Sequence, residues 1–152
     1  MARLHEYQGK AILAAHGFNI PRGRAASTAD QAVAVVKELL TAGQKGGEVV
    51  IKIQAWTTGR AGIGGVAFAK KPDVARGHAA RMLEMKVGQF PVEAVLVEEK
   101  IDIGREFFLS FAIDDATRAP VIIFSAGGGT GIEERASTTI FLKRGSPRSR
   151  SQ

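Results

Sequence analysis

Residues 49–66, which read VVIKIQAWTTGRAGIGGV, restrict the fold of this chain more than any other stretch. The β-branched start predicts a largely buried strand over Val49–Ile53, and the four glycines that follow let the backbone turn without a Cβ clash. A second short strand over residues 65–69 would complete a hairpin. The stretch therefore predicts two strands joined by a glycine-rich loop, and the rest of the chain is organised around them.

The glycine-rich loop has the composition of an anion-binding loop. Its backbone N–H groups can point at phosphate oxygens, Arg60 can donate to one of them in a fork, and Lys52 adds a positive charge from the strand. The glycine spacing matches neither the P-loop nor the dinucleotide-binding fingerprint. A structural hairpin that binds no ligand stays open as an alternative, because alternation along the strand puts Lys52 on the face opposite Ile51 and Ile53, where it could meet water.

The composition is that of a globular chain. Of the 152 residues, 45% are apolar and 24% are charged, which is enough apolar surface for a core. The chain has no cysteine, so disulfides and thiolate metal sites are excluded, and its three histidines show no metal-ligand spacing. No apolar run approaches the ~18 residues of a membrane span. We therefore expect a cytoplasmic protein without a membrane partner.

The net charge of +6 is concentrated at one end of the chain. Four positive charges and no acid lie in the last ten residues, and subtracting those four leaves only +2 for residues 1–142. We expect residues 143–152 to be a basic disordered tail, in which so few charges would give only weak, salt-sensitive contact with RNA. A nucleic-acid partner is therefore not expected, and a basic nucleic-acid binder is the weakest of the functional alternatives.

Apolar residues at helical spacing predict three helices, over residues 5–16, 29–42 and 72–85. Gly17 ends the first, Thr28 is the N-cap of the second, and Pro72 begins the third. Three β-rich runs, at residues 93–101, 105–114 and 120–125, predict strands that neighbour one another in antiparallel order. A second glycine cluster follows at residues 127–131.

Two carboxylates, Glu98 and Glu106, lie near the end of one predicted strand and the start of the next. Such a connection can bring both side chains to one rim of a cleft, where they would accept hydrogen bonds from an amino group and from ribose hydroxyls. With Lys52 and the glycine loop on the phosphates, the set predicts a nucleotide site. A solvated hairpin end of mixed charge is equally compatible with the composition.

Four segments resemble the N-terminal, ATP-grasp part of the β subunit of ADP-forming succinate–CoA ligase. They read LHEYQGKAILAAHGFNIPRG at 4–23, VVIKIQAWTTGRAGIGGV at 49–66, VLVEEKIDIGREFFLSFAID at 95–114 and SAGGGTGIEE at 125–134. The resemblance implies an α/β ATP-grasp fold, with a partial domain over residues 1–142. Residues 21–101 would be a complete small lobe, and residues 1–20 with 102–142 part of a second lobe. Malate–CoA ligase and ATP-citrate lyase share this domain, so the acid stays open.

The resemblance also implies a nucleotide site that holds no catalytic residue. The matching positions are Lys52 on a phosphate; Gly59, Arg60 and Ala61 in a loop that reads Gly-Arg-Gly in the family; and Glu98, Ile101 and Glu106 around the adenine and ribose. Ala61 stands where the family has glycine, and its Cβ hinders close backbone approach to a ligand.

In the family, the complete enzyme joins succinate and CoA at the expense of a nucleoside triphosphate, through a phosphohistidine on a partner α subunit. The resemblance therefore implies ATP as the nucleotide, the α subunit as partner in a hetero-oligomer, and Mg²⁺ as the metal. The family's Asn and Asp that hold Mg²⁺ come after the stretch that matches here. We expect a truncated chain without metal ligands or ligase activity of its own, and a non-catalytic nucleotide-binding or interaction module is the alternative.

Overall fold

The computed structural model describes residues 4–42, 47–57, 59–116 and 118–128. These residues belong to two compact units, Met1–Ile101 and Asp102–Gln152. The predicted basic tail and most of the second glycine cluster lie outside the described residues. The predicted division into a small lobe and part of a second lobe stays a prediction.

Eleven helices and strands are found in the described residues. In chain order they are α1 (Glu6–Ala15), β1 (Gly23–Ala26), α2 (Ala29–Thr41), β2 (Val49–Ile53), β3 (Val66–Ala69), α3 (Pro72–Leu83), β4 (Lys86–Val87), β5 (Phe90–Pro91), β6 (Val95–Glu99), β7 (Phe108–Asp114) and β8 (Ala119–Ser125). None of the described helices is long and apolar enough to cross a membrane.

The first unit is built on a four-stranded antiparallel sheet in the order β1-β6-β2-β3. The predicted pairing of the two strands that flank the glycine loop is confirmed, with Val50 opposite Phe68. β6 pairs with both β1 and β2. The expectation that residues 93–101 neighbour the next strand along the chain is therefore wrong. β6 is buried from Val95 to Glu98 on both of its faces, which suits a strand inside a sheet.

Helices α2 and α3 pack against one face of this sheet and form the core with it. The largest fully buried side chains are Ile51, Ile53, Met82, Val36, Val49, Val95 and Val97. Thr28 caps α2 as predicted, since its Oγ1 accepts a hydrogen bond from the Gln31 N–H at 3.1 Å. Pro72 lies in the first turn of α3, where its missing N–H costs no helical hydrogen bond. Burying each large apolar side chain contributes about 1.5–3 kcal/mol.

The predicted first helix is confirmed, but its mode of attachment differs from that of α2 and α3. Gly17 ends it with a φ of +83°, and its N–H donates to the Ala14 carbonyl. All residues of α1 are described, and none of them is buried. Ile12 is half exposed, and Phe18 beyond the helix is 61% exposed. Apolar burial in the first unit therefore does little to hold α1.

Strand β1 and the short hairpin of β4 and β5 were not predicted. β1 reads Gly-Arg-Ala-Ala, which has little β-propensity, and it exists because it pairs with β6. Gly23 lies opposite Glu98 in this pairing, and a Cβ at position 23 would come 2.3 Å from the Val97 carbonyl oxygen. Only glycine permits that approach without a shift of the backbone. β4 and β5 contain two residues each, too few to show a period.

The described part of the second unit is an antiparallel hairpin of β7 and β8. The predicted pairing of these two strands is confirmed. At their connection, the Asp114 Oδ1 accepts a hydrogen bond from the Ala116 N–H at 3.0 Å, a contact typical of a turn that begins with aspartate. Phe111 is 72% exposed, and several other apolar side chains of the hairpin are also exposed.

Candidate functional site

The face of the sheet opposite α2 and α3 carries two charged side chains on its central strands. Val50 lies opposite Glu98 and Lys52 lies opposite Leu96 in the pairing of β2 with β6, so Lys52 and Glu98 are diagonal neighbours on one face. The Lys52 Nζ donates a hydrogen bond to the Glu98 Oε1. Glu98 is only 2% exposed. Lys52 is ion-paired and its side chain is 23% exposed, so it does not simply face water.

Helix α1 and the glycine loop complete a cluster of five charged residues. Glu6 and Lys10 are one helical turn apart on α1 and form an ion pair of 3.0 Å. The Lys10 Nζ lies 2.5 Å from the Glu98 Oε2, and the Lys52 Nζ lies 3.1 Å from the Glu6 Oε1. From the loop, the Arg60 Nη2 lies 2.8 Å from the Glu6 Oε2. We call these five residues, which carry three positive and two negative charges, the ion-pair cluster.

The cluster fixes the charge of Glu6 and of Lys52. Burial raises the pKa of Glu6, but the charges of Lys52, Lys10 and Arg60 outweigh it and lower that pKa from 4.5 to about 2. Burial lowers the pKa of Lys52, but its hydrogen bond to Glu98 and the charge of Glu6 outweigh it, so the Lys52 pKa is raised. Both groups are therefore charged at neutral pH.

The glycine loop folds back on itself and presents Arg60. Three backbone hydrogen bonds close the loop, from the N–H of Gly62 to Gly59, of Gly64 to Ala61 and of Gly65 to Arg60, at 2.9, 3.1 and 2.8 Å. The side chain of Arg60 is also held by the carbonyl of Ile53, which accepts from Nη1 at 3.2 Å. Within the described residues, the N–H groups of Arg60 and Ala61 donate to no acceptor.

These bonds narrow the predicted role of the loop. The N–H groups of Gly62, Gly64 and Gly65 already have acceptors, so they cannot also wrap an anion in this conformation. What remains for an anion is the Arg60 guanidinium together with the other N–H groups of the described loop residues, among them those of Arg60 and Ala61. Side-chain cations therefore supply most of the positive potential at the site.

The predicted site residues fall into three groups. Lys52, Arg60 and Glu98 meet in the ion-pair cluster, and Gly59 and Ala61 flank Arg60 in the loop. Ile101 is half exposed at the end of the first unit. Glu106 belongs to the second unit, where its carbonyl accepts from the Gly128 N–H at 3.0 Å. The predicted common rim for Glu98 and Glu106 is therefore not a feature of either unit by itself.

Three residues of the site were missed at the level of sequence. Glu6 and Lys10 have the spacing of an ordinary surface ion pair on a helix, and nothing in that spacing points to the sheet. Gln54 is 3% exposed, and its Oε1 accepts from the Tyr7 N–H at 3.2 Å, which ties the first turn of α1 to the end of β2. A polar residue directly after a buried strand was the available signal for Gln54.

A cavity of about 200 Å³ borders the cluster. Its lining includes Tyr7, Lys10, Pro21, Leu96 and Glu98. Apolar walls beside charged groups can take a ligand that has both a flat ring and a charged part. Within the described ranges, no group of three or more His, Asp or Glu residues is placed to hold a metal ion.

Cations gathered over one face of a sheet, beside a glycine-rich loop, suit a nucleotide-binding domain, and comparison with known families agrees. The family model of the ATP-grasp domain matches residues 3–140. The chain therefore belongs to the ATP-grasp family, and the predicted mixed α/β ATP-grasp fold is confirmed.

Curated relatives narrow the resemblance. The chain is 42% identical over 136 residues to the succinate–CoA ligase [ADP-forming] subunit beta of Gemmatimonas aurantiaca. The aligned residues cover 90% of this chain and 34% of that protein. The chain is 38% identical over 134 residues to the succinate–CoA ligase [GDP-forming] subunit beta of Thermus thermophilus. The aligned residues cover 88% of this chain and 34% of that protein. The chain thus spans about a third of the length of these relatives.

A solved structure has the same fold. It is the dinucleotide-forming acetyl-coenzyme A synthetase 1 of Ca. Korarchaeum cryptofilum, in complex with coenzyme A, acetyl-coenzyme A and a phosphorylated phosphohistidine segment. The match has a TM-score of 0.61 at 23% identity and covers 82% of this chain and 53% of that one. At this identity, the likeness concerns the fold alone.

Proposed function

We propose that this chain is the nucleotide-binding, ATP-grasp portion of an acid–CoA ligase β subunit, and that it binds the phosphates of ATP at Lys52 and Arg60. The observation that carries the proposal is the position of Lys52. It lies on the strand that leads into the glycine loop, and it shares Glu6 as a partner with Arg60 at 3.1 and 2.8 Å. Two cations held on one carboxylate are spaced to share a phosphate group as well.

The other site residues have supporting roles in this proposal. Gly59 and Ala61 shape the loop around Arg60. Glu98 holds Lys52 in place by an ion pair from the neighbouring strand. Ile101 lies past the end of β6. Contact of Glu98, Ile101 and Glu106 with the adenine and ribose stays a prediction from the resemblance. Binding of Mg²⁺ stays a prediction too, and we assign it no ligand in this chain.

The activity of the whole enzyme is also part of the proposal. We propose that the complete ligase forms an acyl-CoA from an acid, CoA and ATP, with succinate as the acid, and that an α subunit with a phosphohistidine is its partner in the cytoplasm. The names of the curated relatives support succinate, and both ADP-forming and GDP-forming relatives occur among them. The base of the nucleotide is therefore best tested directly, with ATP and GTP side by side.

The test is a calorimetric titration with ATP of the wild-type chain, Lys52→Ala and the control Lys37→Ala. Lys37 is an exposed lysine of α2, so its removal changes the net charge equally without touching the cluster. We expect the affinity of Lys52→Ala to fall roughly tenfold or more, because a charge-assisted hydrogen bond contributes about 1.5–3 kcal/mol. Lys37→Ala should bind as the wild type does.

Two further measurements show whether a loss of affinity in Lys52→Ala comes from the missing charge or from unfolding. Thermal unfolding of each variant shows whether Lys52→Ala is folded, and Lys52→Arg should restore part of the affinity because it restores the charge. An equal loss in the two alanine variants, or no ATP binding by the folded wild-type chain, would contradict the proposal.

A further inference from the structure

The carboxylate of Glu6 holds three cations at once. Its Oε1 lies 3.0 Å from the Lys10 Nζ and 3.1 Å from the Lys52 Nζ, and its Oε2 lies 2.8 Å from the Arg60 Nη2. A phosphate group bound by the same three side chains would also have its anionic oxygens shared among ammonium and guanidinium groups. The Glu6 Oε2 is paired with Arg60 by charge alone, because it accepts no hydrogen bond within the described residues. Glu6 therefore occupies the place of an anion.

The two acids of the cluster differ in how they are held. Glu98 is 2% exposed on a central strand that pairs on both sides, so it cannot leave without disrupting the sheet. Glu6 is the first residue of α1, whose described residues include none that is buried. The side chain of Glu6 is 20% exposed, against 3% for that of Glu98. Of the two acids, Glu6 is the one that can be displaced.

The net charge of the cluster differs between the state that contains the Glu6 carboxylate and the state from which it has moved away. With Glu6 in place, Lys10, Lys52 and Arg60 are opposed by two carboxylates, and the cluster carries a net charge of +1. When Glu6 moves away, the remaining residues carry +2. A phosphate placed against Lys52 and Arg60 would otherwise lie beside the Glu6 carboxylate, where two negative charges repel each other at short range. Binding of a phosphate and retention of Glu6 are therefore competing arrangements.

We propose that Glu6 is a built-in anion that competes with the nucleotide phosphates for Lys52 and Arg60, so that nucleotide binding displaces its carboxylate and Glu6 lowers the affinity for phosphorylated ligands. This inference rests on the proposed function, because it assigns a further residue to the same site. Adenosine, which has no phosphate, does not compete with Glu6, so its binding is insensitive to this residue.

The test compares Glu6→Gln with a matched variant, Glu48→Gln. Both remove one negative charge from an ion-paired glutamate of the first unit, and Glu48 pairs with Lys100 away from the cluster. Titration calorimetry with ATP, adenosine and inorganic tripolyphosphate gives the affinities. We expect Glu6→Gln to bind ATP and tripolyphosphate about tenfold more tightly than the wild type, since one charge-assisted competitor is gone, and to bind adenosine unchanged. Glu48→Gln should stay near the wild type for all three.

The outcomes separate the inference from the function beneath it. An ATP affinity of Glu6→Gln that equals that of Glu48→Gln, or falls below the wild type, would overturn the inference and make Glu6 a residue that positions Lys52 and Arg60. Tighter tripolyphosphate binding without any ATP binding would support the competition and reject the nucleotide function. Absence of binding for every probe would reject both.

A second measurement on the wild-type chain covers the case in which Glu6→Gln does not fold. Hydrogen exchange at the first-turn amides of α1 is compared with and without saturating ATP. Displacement of Glu6 removes its contacts with Lys52 and Arg60, so exchange there should become faster. Unchanged or slower exchange would overturn the inference.

Discussion

Lys52 on β2 and Glu98 on β6 are diagonal neighbours on one face of the sheet, and they are joined by a hydrogen bond. Lys10 approaches the second carboxylate oxygen of Glu98 from α1. One buried acid of the sheet thus fixes a lysine of the strand and a lysine of the helix. The position of Lys52 beside the glycine loop depends on this acid, and four predictions follow from the cluster and from the close backbone contacts around it.

The first prediction concerns Glu98. Glu98→Gln should lower the free energy of unfolding by about 3 kcal/mol, because removing one partner of a buried ion pair leaves uncompensated charge, here on Lys10 and Lys52. Urea denaturation measures the change. Glu48→Gln is the control, and it should cost less than about 1 kcal/mol because Lys100 is 44% exposed and Glu48 is 21% exposed, against 3% for the side chain of Glu98. Similar losses in the two variants would contradict the buried role of Glu98.

The second prediction is a pH dependence of stability that originates at Glu6. The pKa of Glu6 is about 2 in the folded chain, against 4.5 as its ordinary value. A lowered folded pKa means that this stabilisation is fully present above pH 4.5 and is lost as the pH falls towards 2. Between pH 6 and pH 3 the loss should be at most about 2 kcal/mol, because the carboxylate is partly exposed and its folded pKa lies below this range. Unfolding by urea between pH 6 and pH 3 should therefore show a flatter profile for Glu6→Gln than for the wild type, and parallel profiles would contradict this origin.

The third prediction concerns the closure of the glycine loop. A Cβ at position 65 would come 2.6 Å from the Ile53 Cδ1 and 2.9 Å from the Arg60 carbonyl oxygen. Gly65→Ala should therefore destabilise the chain by about 1–3 kcal/mol. Gly62→Ala is the matched control, since its nearest new contact would be an ordinary 3.4 Å. Thermal unfolding of the two variants tests the difference. Equal melting temperatures for Gly65→Ala and Gly62→Ala would contradict the prediction and show that the loop can shift to accept the Cβ.

The fourth prediction contrasts two other glycines. Gly23→Ala would place a Cβ 2.3 Å from the Val97 carbonyl oxygen and 2.6 Å from the Glu98 Cα, so β1 must separate from β6 or shift, at a cost of about 3 kcal/mol. Gly77 lies within α3, and a Cβ there would meet nothing within 4 Å. Gly77→Ala should stabilise the chain by about 1 kcal/mol, because alanine is the better helix former. Denaturant midpoints that move in the same direction would contradict the contrast.

Local patterns were sufficient to predict most of the helices and strands. The apolar stripe and Thr28 predicted α2, and Pro72 marked the start of α3, because capping and periodicity depend on residues within a few positions of one another. The partner of β6 depends on contacts far apart in the chain, so adjacency in sequence gave the wrong neighbour. β1 was missed for the same reason, since Gly-Arg-Ala-Ala is a strand only where β6 lies beside it.

The residues of the candidate site also fall into those that local sequence predicts and those that depend on contacts far apart in the chain. Lys52 and Arg60 could be predicted because the strand and the glycine loop are continuous in sequence. Glu6 and Lys10 could not, because their contacts with the sheet span 46 and 88 positions of the chain and follow from the docking of α1. The loop N–H groups were expected to face a ligand, and three of them instead close the loop. Hydrogen bonding within a glycine-rich loop depends on φ values such as +64° at Gly59, which composition does not specify.

Because α1 has no buried residue, dissolved salt should affect its attachment to the sheet differently from the attachment of α2 and α3. Its contacts with the sheet are chiefly ion pairs with partly accessible cations, and the Debye length shrinks from ~10 Å at 0.1 M to ~3 Å at 1 M ionic strength. Helices α2 and α3 are attached by apolar packing, which sulfate and similar excluded salts strengthen. Buried and partly buried pairs are screened less than exposed ones, so concentrated ammonium sulfate should strengthen the attachment of α2 and α3 while it does little for that of α1.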